Sequence, residues 1–197
     1  MVRATITTRP LAATETGHRT ELLYDDGSND EVLLCAVHGG EVEPGTAEQA
    51  LELATRLPAA SCWACLGYDD ETDAFDEWHP PSSAVDTEDY PLLAEIADRD
   101  FETVISFHGL GDDRVLVGGG TDAEVKRTVA ARLEAAVTLP VETVSDGPYA
   151  GASPNNFVNW LAADGGGLQL EQGLSVRERE ADAVVSTLEA AVAEGVL

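Results

Sequence analysis

The sequence predicts an α/β fold, a three-layer sandwich in which helices cover both faces of a mixed, mostly parallel sheet. Short apolar runs of strand length, such as residues 32–37 and 104–107, alternate with segments whose apolar side chains recur at helical spacing. Strands that are apolar throughout are typical of parallel sheets buried on both faces. A chain of 197 residues can bury a substantial core, so we expect one domain over residues 1–197.

Local signals place the elements along the chain. The apolar run 32–37 is the first predicted strand, and residues 105–108 and 114–118 are short strands that can pair antiparallel and make the sheet mixed. Further strands are predicted at residues 61–68, 141–145 and 167–171, and further helices at residues 88–99 and within residues 151–160. Capping boxes are predicted to begin three helices: Thr46 with Gln49, Thr121 with Glu124, and Ser175 with Glu178.

The charge of the chain excludes two classes of partner. Eleven basic residues against 37 acidic ones give a formal net charge of −26. Such a surface repels nucleic acid and anionic membranes, and it is typical of a folded protein adapted to high salt. No apolar stretch approaches the roughly 20 residues that span a bilayer, and the first ten residues lack a signal-peptide core. We therefore expect a cytoplasmic, halophilic protein that binds neither nucleic acid nor membrane.

Three cysteines, Cys35, Cys62 and Cys65, do not suggest a disulfide framework, and a reducing compartment fits them. Cys62 and Cys65 form a lone C-x-x-C inside a predicted strand, where positions three apart point to opposite faces. Buried structural cysteines are the favoured interpretation. Redox or metal chemistry at this pair is the alternative.

Two histidines end apolar runs and are followed at once by glycine, in "AVHGG" (His38) and "SFHG" (His108). The carboxyl ends of parallel strands meet at one edge of the sheet, where α/β proteins bind ligands. Two histidines and one glutamate, with a fourth position left to water, are typical of a catalytic zinc site. Glu41 and Glu43 are both candidates for the glutamate. Pro44 after Glu43 indicates a fixed turn there, but spacing alone does not choose between the two.

An ordered set of motifs resembles one family. The motifs "HGG-x-x-EPGT-x-E" (residues 38–48), "WHPPSS" (78–83), "ISFHG", "VGGG", "NFVN" (156–159) and "LQLE" (168–171) occur in the order found in phage-type poly-γ-glutamate hydrolases. The resemblance covers roughly residues 30–180. It implies a zinc amidohydrolase with a zinc-carboxypeptidase-like α/β fold.

Carried onto this chain, the resemblance implies zinc, Zn(2+), bound by His38, Glu43 and His108. Relatives commonly have glycine at the position of Glu41, which favours Glu43 as the ligand. Glu171, in "LQLE", matches the general base. A carboxylate at a strand end facing the metal can take a proton from the attacking water and pass it to the leaving amine.

Four residues are candidate substrate ligands: Arg177, Asn156, Asn159 and His79. Arginine can form two parallel hydrogen bonds to a carboxylate, and asparagine can donate a hydrogen bond to an oxyanion. The chain also departs from the family pattern. Trp160 stands where relatives often have arginine, and "WHPPSS" keeps His79 but replaces its neighbours, so the substrate can differ from the family's.

The expected function is zinc-dependent cleavage of γ-glutamyl-type amide bonds in poly-γ-glutamate or a related carboxylate-bearing substrate. The partner would be an anionic polymer or a small-molecule amide. Alternatives are an N-acyl amino acid deacylase, a small-peptide carboxypeptidase, or a catalytically silent metal-binding protein of the same fold. A flavodoxin-like nucleotide binder is disfavoured, because "VGGGTDAE" lacks the lysine and hydroxyl of a P-loop.

Overall fold

The computed structural model describes residues 3–28, 31–71 and 73–197. Within them the strands are β1 (Thr5–Ala13), β2 (Gly17–Asp25), β3 (Val32–Gly40), β4 (Ala60–Asp69), β5 (Thr103–Leu110), β6 (Val115–Gly119), β7 (Val141–Thr143) and β8 (Leu168–Gly173). The helices are α1 (Thr46–Arg56), α2 (Ala74–Trp78), α3 (Pro91–Ala94), α4 (Ala123–Ala136), α5 (Phe157–Trp160), α6 (Leu174–Arg179) and α7 (Ala181–Ala193). The strands form one sheet in the order β1-β2-β4-β3-β5-β8-β6-β7.

The centre of the sheet is parallel, and antiparallel pairs lie on both sides of it. The pairs β4–β3, β3–β5, β5–β8 and β6–β7 are parallel. β2 pairs antiparallel with β1 and β4, and β6 pairs antiparallel with β8. The predicted mixed sheet is confirmed. The predicted pairing of residues 105–108 with 114–118 is wrong, because β8 lies between β5 and β6.

The two larger apolar cores lie one on each face of the sheet and confirm the three-layer architecture. One core contains side chains of α1, α4 and α7, including Leu53, Leu133 and Leu188. The other contains side chains of α3 and α5, including Leu93 and Phe157. The central strands contribute to both cores, which explains why their sequences are apolar throughout. None of the described helices is long and apolar enough to cross a membrane.

The structure adds a hairpin before the first predicted strand. β1 and β2 pair antiparallel over nearly their whole length, and β2 then joins the sheet beside β4. β1 lies at the edge of the sheet, and most of its side chains are exposed. It therefore lacks the continuous apolar run that identified the buried strands.

The three predicted capping boxes are wrong. Thr46 is the first residue of α1, and its hydroxyl donates to the Glu43 carbonyl oxygen (2.8 Å). Gln49 is fully buried, and its amide pairs with the Gln172 amide through two 3.0 Å hydrogen bonds. Ser175 lies inside α6. The N-caps of α1, α4 and α6 are Gly45, Asp122 and Gly173, and none makes a side-chain cap hydrogen bond.

The cysteines are free and buried. Cys62 packs in the core under α1, and Cys65 packs in the core under α3, on opposite faces of β4 as the strand pattern predicts. Burial raises the pKa of both thiols to about 12. The two sulfur atoms therefore face different layers of the protein, which does not suit a shared metal or a redox pair.

Candidate active site

His108 and Glu171 lie on neighbouring parallel strands near their carboxyl ends. His108 of β5 is directly opposite Glu171 of β8 in the register of the sheet, and residues paired in this way point to the same face. Their neighbours Phe107 and Leu170 point into the core that contains α1. His108 and Glu171 therefore point to the other face, which carries α3 and α5.

His38 reaches that face because β3 contains a β-bulge. The register between β3 and β4 shifts, so that the three steps from Ala36 to Gly39 match the two steps from Ala64 to Leu66. Ala36 packs toward α1, and Val37 packs on the opposite face. Strict alternation would turn His38 back toward α1. The extra residue of the bulge instead keeps it on the side of Val37, where it meets His108.

A tight loop returns Glu43 to the end of β3. The Glu43 amide donates to the His38 carbonyl oxygen (2.8 Å), and Gly45 adopts a left-handed conformation (φ 92°) that residues other than glycine rarely adopt. The Glu43 side chain is buried between the histidines. Glu41 is exposed, and its carboxylate accepts from the amide of Asp69 (3.4 Å). Of the two candidate glutamates, the geometry brings Glu43 to the histidines.

The donor atoms of His38, Glu43 and His108 converge on one point. His38 Nδ1 lies 3.2 Å from Glu43 Oε1 and 3.2 Å from His108 Nδ1. His108 Nδ1 lies 3.5 Å from Glu43 Oε2. A tetrahedral zinc ion with ligand distances of about 2.0–2.1 Å holds its ligand atoms about 3.4 Å apart. The donor set therefore fits zinc with one position left over.

Hydrogen bonding around these donors also fits a cation. His38 Nε2 lies 2.7 Å from the Pro80 carbonyl oxygen, which only accepts, so Nε2 carries the proton and Nδ1 of the neutral ring presents a lone pair. A histidine ligand commonly has its other nitrogen held in this way. Glu43 Oε2 is buried without a hydrogen-bond partner among the described residues. A metal ion would compensate this carboxylate.

The two buried carboxyl groups are held in different states. Burial alone would raise the pKa of Glu43, but its close contacts with the rings of His108, His38 and His79 hold it well below its ordinary value. Burial raises the pKa of Glu171 to about 7, and the negative charge of Glu43 adds to the rise, against the opposing effects of His108 and of a Gln169 hydrogen bond. A carboxylate ligand next to a carboxyl group that titrates near neutrality suits metal-assisted general acid–base chemistry.

Gln169 is a site residue that the sequence analysis did not identify. Its Nε2 donates to Glu171 Oε1 (2.9 Å), and its Oε1 accepts from Asn156 Nδ2 (3.0 Å). Gln169 precedes Glu171 by two positions on β8, so the alternation of the strand puts both on one face. That spacing is the signal that could have identified it.

A cavity of about 810 Å³ opens in front of these residues. The cavity is lined by residues 81–83 on one side and 145–153 on the other. Between them lie the side chains of His38, Glu43, His108, Glu171, His79 and Asn156. His79 Nε2 lies 3.2 Å from Glu43 Oε1, and its ring stacks between Phe75 and His38 at centroid distances of 4.0 and 3.9 Å. Phe75 and Tyr149 are exposed at the cavity.

Asn159 does not line the cavity. Its Oδ1 accepts from the Gly120 amide (2.9 Å), and its Nδ2 donates to the carbonyl oxygens of Gly151 and Ser153 (both 2.7 Å). Asn159 therefore fixes the loop that forms one wall of the cavity. This differs from the expected contact with substrate.

Arg177 is also outside the cavity lining. Its Nε donates to the Gln172 carbonyl oxygen (3.1 Å), and Nη1 donates to the Pro44 carbonyl oxygen. A Cβ atom at Gly109 would lie 2.9 Å from the guanidinium and 3.0 Å from the Glu43 Cβ. The glycine after His108 thus makes room for Arg177, which bonds to the loop of Glu43 and does not line the cavity.

A family model described as poly-gamma-glutamate hydrolase matches residues 9–186. The chain belongs to this family. The matched range begins within the hairpin β1–β2, so it is wider than the motifs alone indicate. UPF0714 protein YndL of Bacillus subtilis (strain 168) is 31% identical over 148 residues, a match that spans 75% of this chain and 55% of that relative.

Solved structures show that this member of the poly-gamma-glutamate hydrolase family shares the family's fold. A zinc-free structure of YndL superposes with a TM-score of 0.71 at 23% identity, covering 90% of this chain and 91% of that one. A bacteriophage poly-gamma-glutamate hydrolase superposes with a TM-score of 0.69 at 19% identity, covering 98% and 91%. A provisionally assigned carboxypeptidase from Burkholderia mallei ATCC 23344 gives 0.60 at 11% identity, covering 100% and 64%. The carboxypeptidase-like fold is thereby confirmed.

Proposed function

We propose that this protein is a zinc-dependent hydrolase of γ-glutamyl-type amide bonds, in poly-γ-glutamate or a related substrate that carries carboxylates. Its family supports a hydrolase. The single observation that carries the proposal is that the zinc-compatible donor set and the buried Glu171 line the same cavity.

His38, Glu43 and His108 would hold the ion, and the surrounding structure fixes the position of each. Pro80 O binds His38 Nε2, the loop closed by Thr46 holds Glu43, and the sheet holds His108. When bound, zinc supplies Lewis acidity that polarises a carbonyl group and lowers the pKa of water. The ligands thus fix where the scissile carbonyl must lie in the cavity.

Glu171 would move the proton. Its buried carboxylate lines the same cavity as the donor set and can accept a proton from the attacking water as the water oxygen bonds to the carbonyl carbon. The same carboxyl group can then deliver that proton to the nitrogen as the C–N bond breaks. The products are a carboxylic acid and an amine, and Glu171 returns to its starting state.

The cavity favours neutral donors for binding the substrate. Of the described residues that line it, none is arginine or lysine, whereas the serines Ser82, Ser83 and Ser153, with Asn156 and His79, offer hydrogen bonds. This lining favours a second candidate, a small N-acyl amino acid or peptide, whose lower negative charge needs fewer cationic partners. A silent binding protein would not need Glu171 in the cavity.

A first experiment tests the metal site with a matched pair of variants. Purified protein loaded with zinc should bind one ion per chain, and Glu43→Ala should lose both zinc and activity, because three protein ligands leave no spare. Glu41→Ala removes the same side chain two residues away and should keep both. Elemental analysis measures the zinc bound by each variant, and a turnover assay measures its activity. Zinc retained by Glu43→Ala and lost by Glu41→Ala would exclude the proposed ligand set.

A second experiment tests the substrate. Zinc-loaded protein is incubated with poly-γ-glutamate, an N-acylated glutamate and an α-linked glutamate peptide, and the products are separated by chromatography. Shortened γ-linked chains or free glutamate from the polymer support the proposal. Cleavage of the N-acylated amino acid alone favours the second candidate. No cleavage of any of the three by zinc-replete protein contradicts both.

A further inference from the structure

We propose that Gln169, oriented by Asn156, is a positioning residue for Glu171. It holds one oxygen of that carboxyl group and leaves the other to act on the substrate. The inference rests on the proposed function, because it assigns a support to the general base of the same site. Three hydrogen bonds in series, each with a defined direction, carry it.

The main chain determines which atom donates and which accepts in each of these three hydrogen bonds. Asn156 is the N-cap of α5, and its Oδ1 accepts from the Val158 amide (3.2 Å). Since a main-chain amide only donates, the oxygen of Asn156 must face it, and Nδ2 must face Gln169. Gln169 Oε1 accepts a hydrogen bond from this Nδ2 (3.0 Å), so its Nε2 is turned to Glu171 Oε1 (2.9 Å) and to the Tyr149 carbonyl oxygen (3.3 Å). The helix terminus therefore determines which group faces Glu171.

The protein is built closely around this amide. Gln169 is 3% exposed, Asn156 6% and Glu171 7%. A Cβ atom at Gly151 would lie 2.5 Å from Gln169 Oε1, so the loop approaches the amide as closely as glycine allows. A buried side chain in such a position has little freedom to turn, which keeps the donor aimed at Glu171.

As a consequence, the two carboxyl oxygens of Glu171 differ in their contacts: Oε1 accepts a hydrogen bond from Gln169, and Oε2 does not. Among the described residues, the hydrogen bond to this carboxyl group comes from Gln169 and goes to Oε1. Oε2 then remains for the proton that passes from water to the leaving nitrogen. Fixing one oxygen restricts rotation of the carboxyl group, so the other stays at one place in the cavity, and misplacement of a reacting group by about 1 Å can cost about 10²-fold in rate.

A double-mutant cycle tests whether Gln169 acts through Glu171. Turnover and KM are measured for zinc-loaded wild type, Gln169→Leu, Glu171→Gln and the double variant, on poly-γ-glutamate or, if it is cleaved faster, the N-acylated glutamate. We expect Gln169→Leu to lower kcat about 10- to 100-fold with little change in KM or zinc content. In the Glu171→Gln background the same substitution should have no further effect on kcat.

A second variant covers the case in which Gln169→Leu does not fold. Asn156→Asp keeps the shape and the acceptor for Val158, but it removes the donor to Gln169, so the Gln169 amide must turn its oxygen toward Glu171. We expect kcat to fall as in Gln169→Leu. The fall should disappear in the Glu171→Gln background, where the amide introduced at position 171 can donate to that oxygen. Asn155→Asp adds the same charge at the adjacent exposed residue and should keep wild-type kcat.

The outcomes separate this inference from the proposed function. Wild-type kcat in both Gln169→Leu and Asn156→Asp, with loss in Glu171→Gln, overturns the inference alone. An equal loss on the wild-type and Glu171→Gln backgrounds also overturns it, because Gln169 would then act independently. Wild-type kcat in zinc-replete Glu171→Gln overturns the inference together with the proposed role of Glu171.

Discussion

Arg177 shows how burial changes the role of a side chain at this site. Its residue type suits a carboxylate of the substrate, yet the side chain is 8% exposed and its guanidinium donates to the carbonyl oxygens of Gln172 and Pro44. Pro44 directly follows the candidate ligand Glu43. The two hydrogen bonds therefore connect α6 and β8 to the loop that holds Glu43, and the geometry places Arg177 as a support of the candidate donor set.

We expect Arg177→Lys to weaken zinc binding. The substitution keeps the positive charge but removes the planar fork that reaches two carbonyl groups. Removing contacts that support a ligand typically lowers metal affinity by about 10- to 100-fold. Titration with zinc in competition with a chromogenic chelator measures the effect. Arg179→Lys changes an exposed arginine of the same helix and should bind zinc as the wild type does.

An opposite result would restore the role expected from the sequence. If Arg177→Lys binds zinc normally but raises KM for a carboxylate-bearing substrate, the guanidinium contacts substrate in the working enzyme. The zinc titration and the KM measurement thus separate the two roles of this one residue.

The sequence identifies the residues whose position follows from a strand end. His38 and His108 each end an apolar run before glycine, and Glu43 precedes a turn with Pro44 and Gly45. The structure brings these three donors together with Glu171. It does not bring Asn159 into the cavity, because its amide bonds to the main chain of Gly120, 39 positions away in sequence, as well as to the nearer loop of residues 151–153. Contacts of that kind depend on tertiary packing and leave no local pattern.

At the scale of elements, the β-bulge in β3 is the feature that local patterns miss. The run of residues 32–37 predicts the strand, but apolar residues on both faces give no periodicity from which to read the direction of each side chain. The bulge between Ala36 and Gly39 decides that His38 faces the cavity. The edge strand β1 has no recognisable pattern for the opposite reason, since its exposed side chains provide no buried face.

Glu21 connects two further elements, β2 and α3. Its carboxylate is fully buried and accepts from the Trp63 indole (2.7 Å) and from the amides of Leu92 (2.8 Å) and Leu93 (2.7 Å). These two amides belong to the first turn of α3, whose donors have no partner within the helix. A side chain from the sheet thus caps a helix of four residues and holds it on the core.

We expect Glu21→Gln to destabilise the protein by about 1–3 kcal/mol. The substitution is nearly isosteric, but its amide nitrogen must face a main-chain donor, so buried hydrogen-bonding groups lose their partners. Urea unfolding followed by circular dichroism measures the change in the free energy of unfolding. Glu95→Gln alters an exposed glutamate next to the same helix and should change stability by less than about 0.5 kcal/mol. Equal stabilities of the two variants would contradict the proposed anchoring of α3.

At the scale of the whole molecule, positively charged side chains are few, and most of them bond to other groups of the protein. The formal net charge is −26, and the single lysine, Lys126, is buried and donates to the Gly119 carbonyl oxygen (3.0 Å). Four arginines pair with carboxylates of the protein: Arg56, Arg99, Arg114 and Arg132. The cavity lining among the described residues contains Asp146 but no arginine or lysine. Apart from the ion that the proposed function requires, an anionic substrate therefore approaches a surface and a cavity lining of its own sign.

We expect KM for an anionic substrate to fall as salt concentration rises into the molar range. At about 1 M salt the Debye length is roughly 3 Å, so the repulsion between substrate and protein is largely screened, as is the repulsion among the protein's own acids. KM and circular dichroism are measured together across a salt series, so that a change in KM is compared at a constant folded fraction. An uncharged N-acyl amide cleaved by the same site serves as control, and its KM should change much less. If KM for the anionic substrate instead climbs steadily with salt while the fold stays constant, attraction at the site, from the bound ion or from Arg177, outweighs the repulsion, and this prediction is wrong.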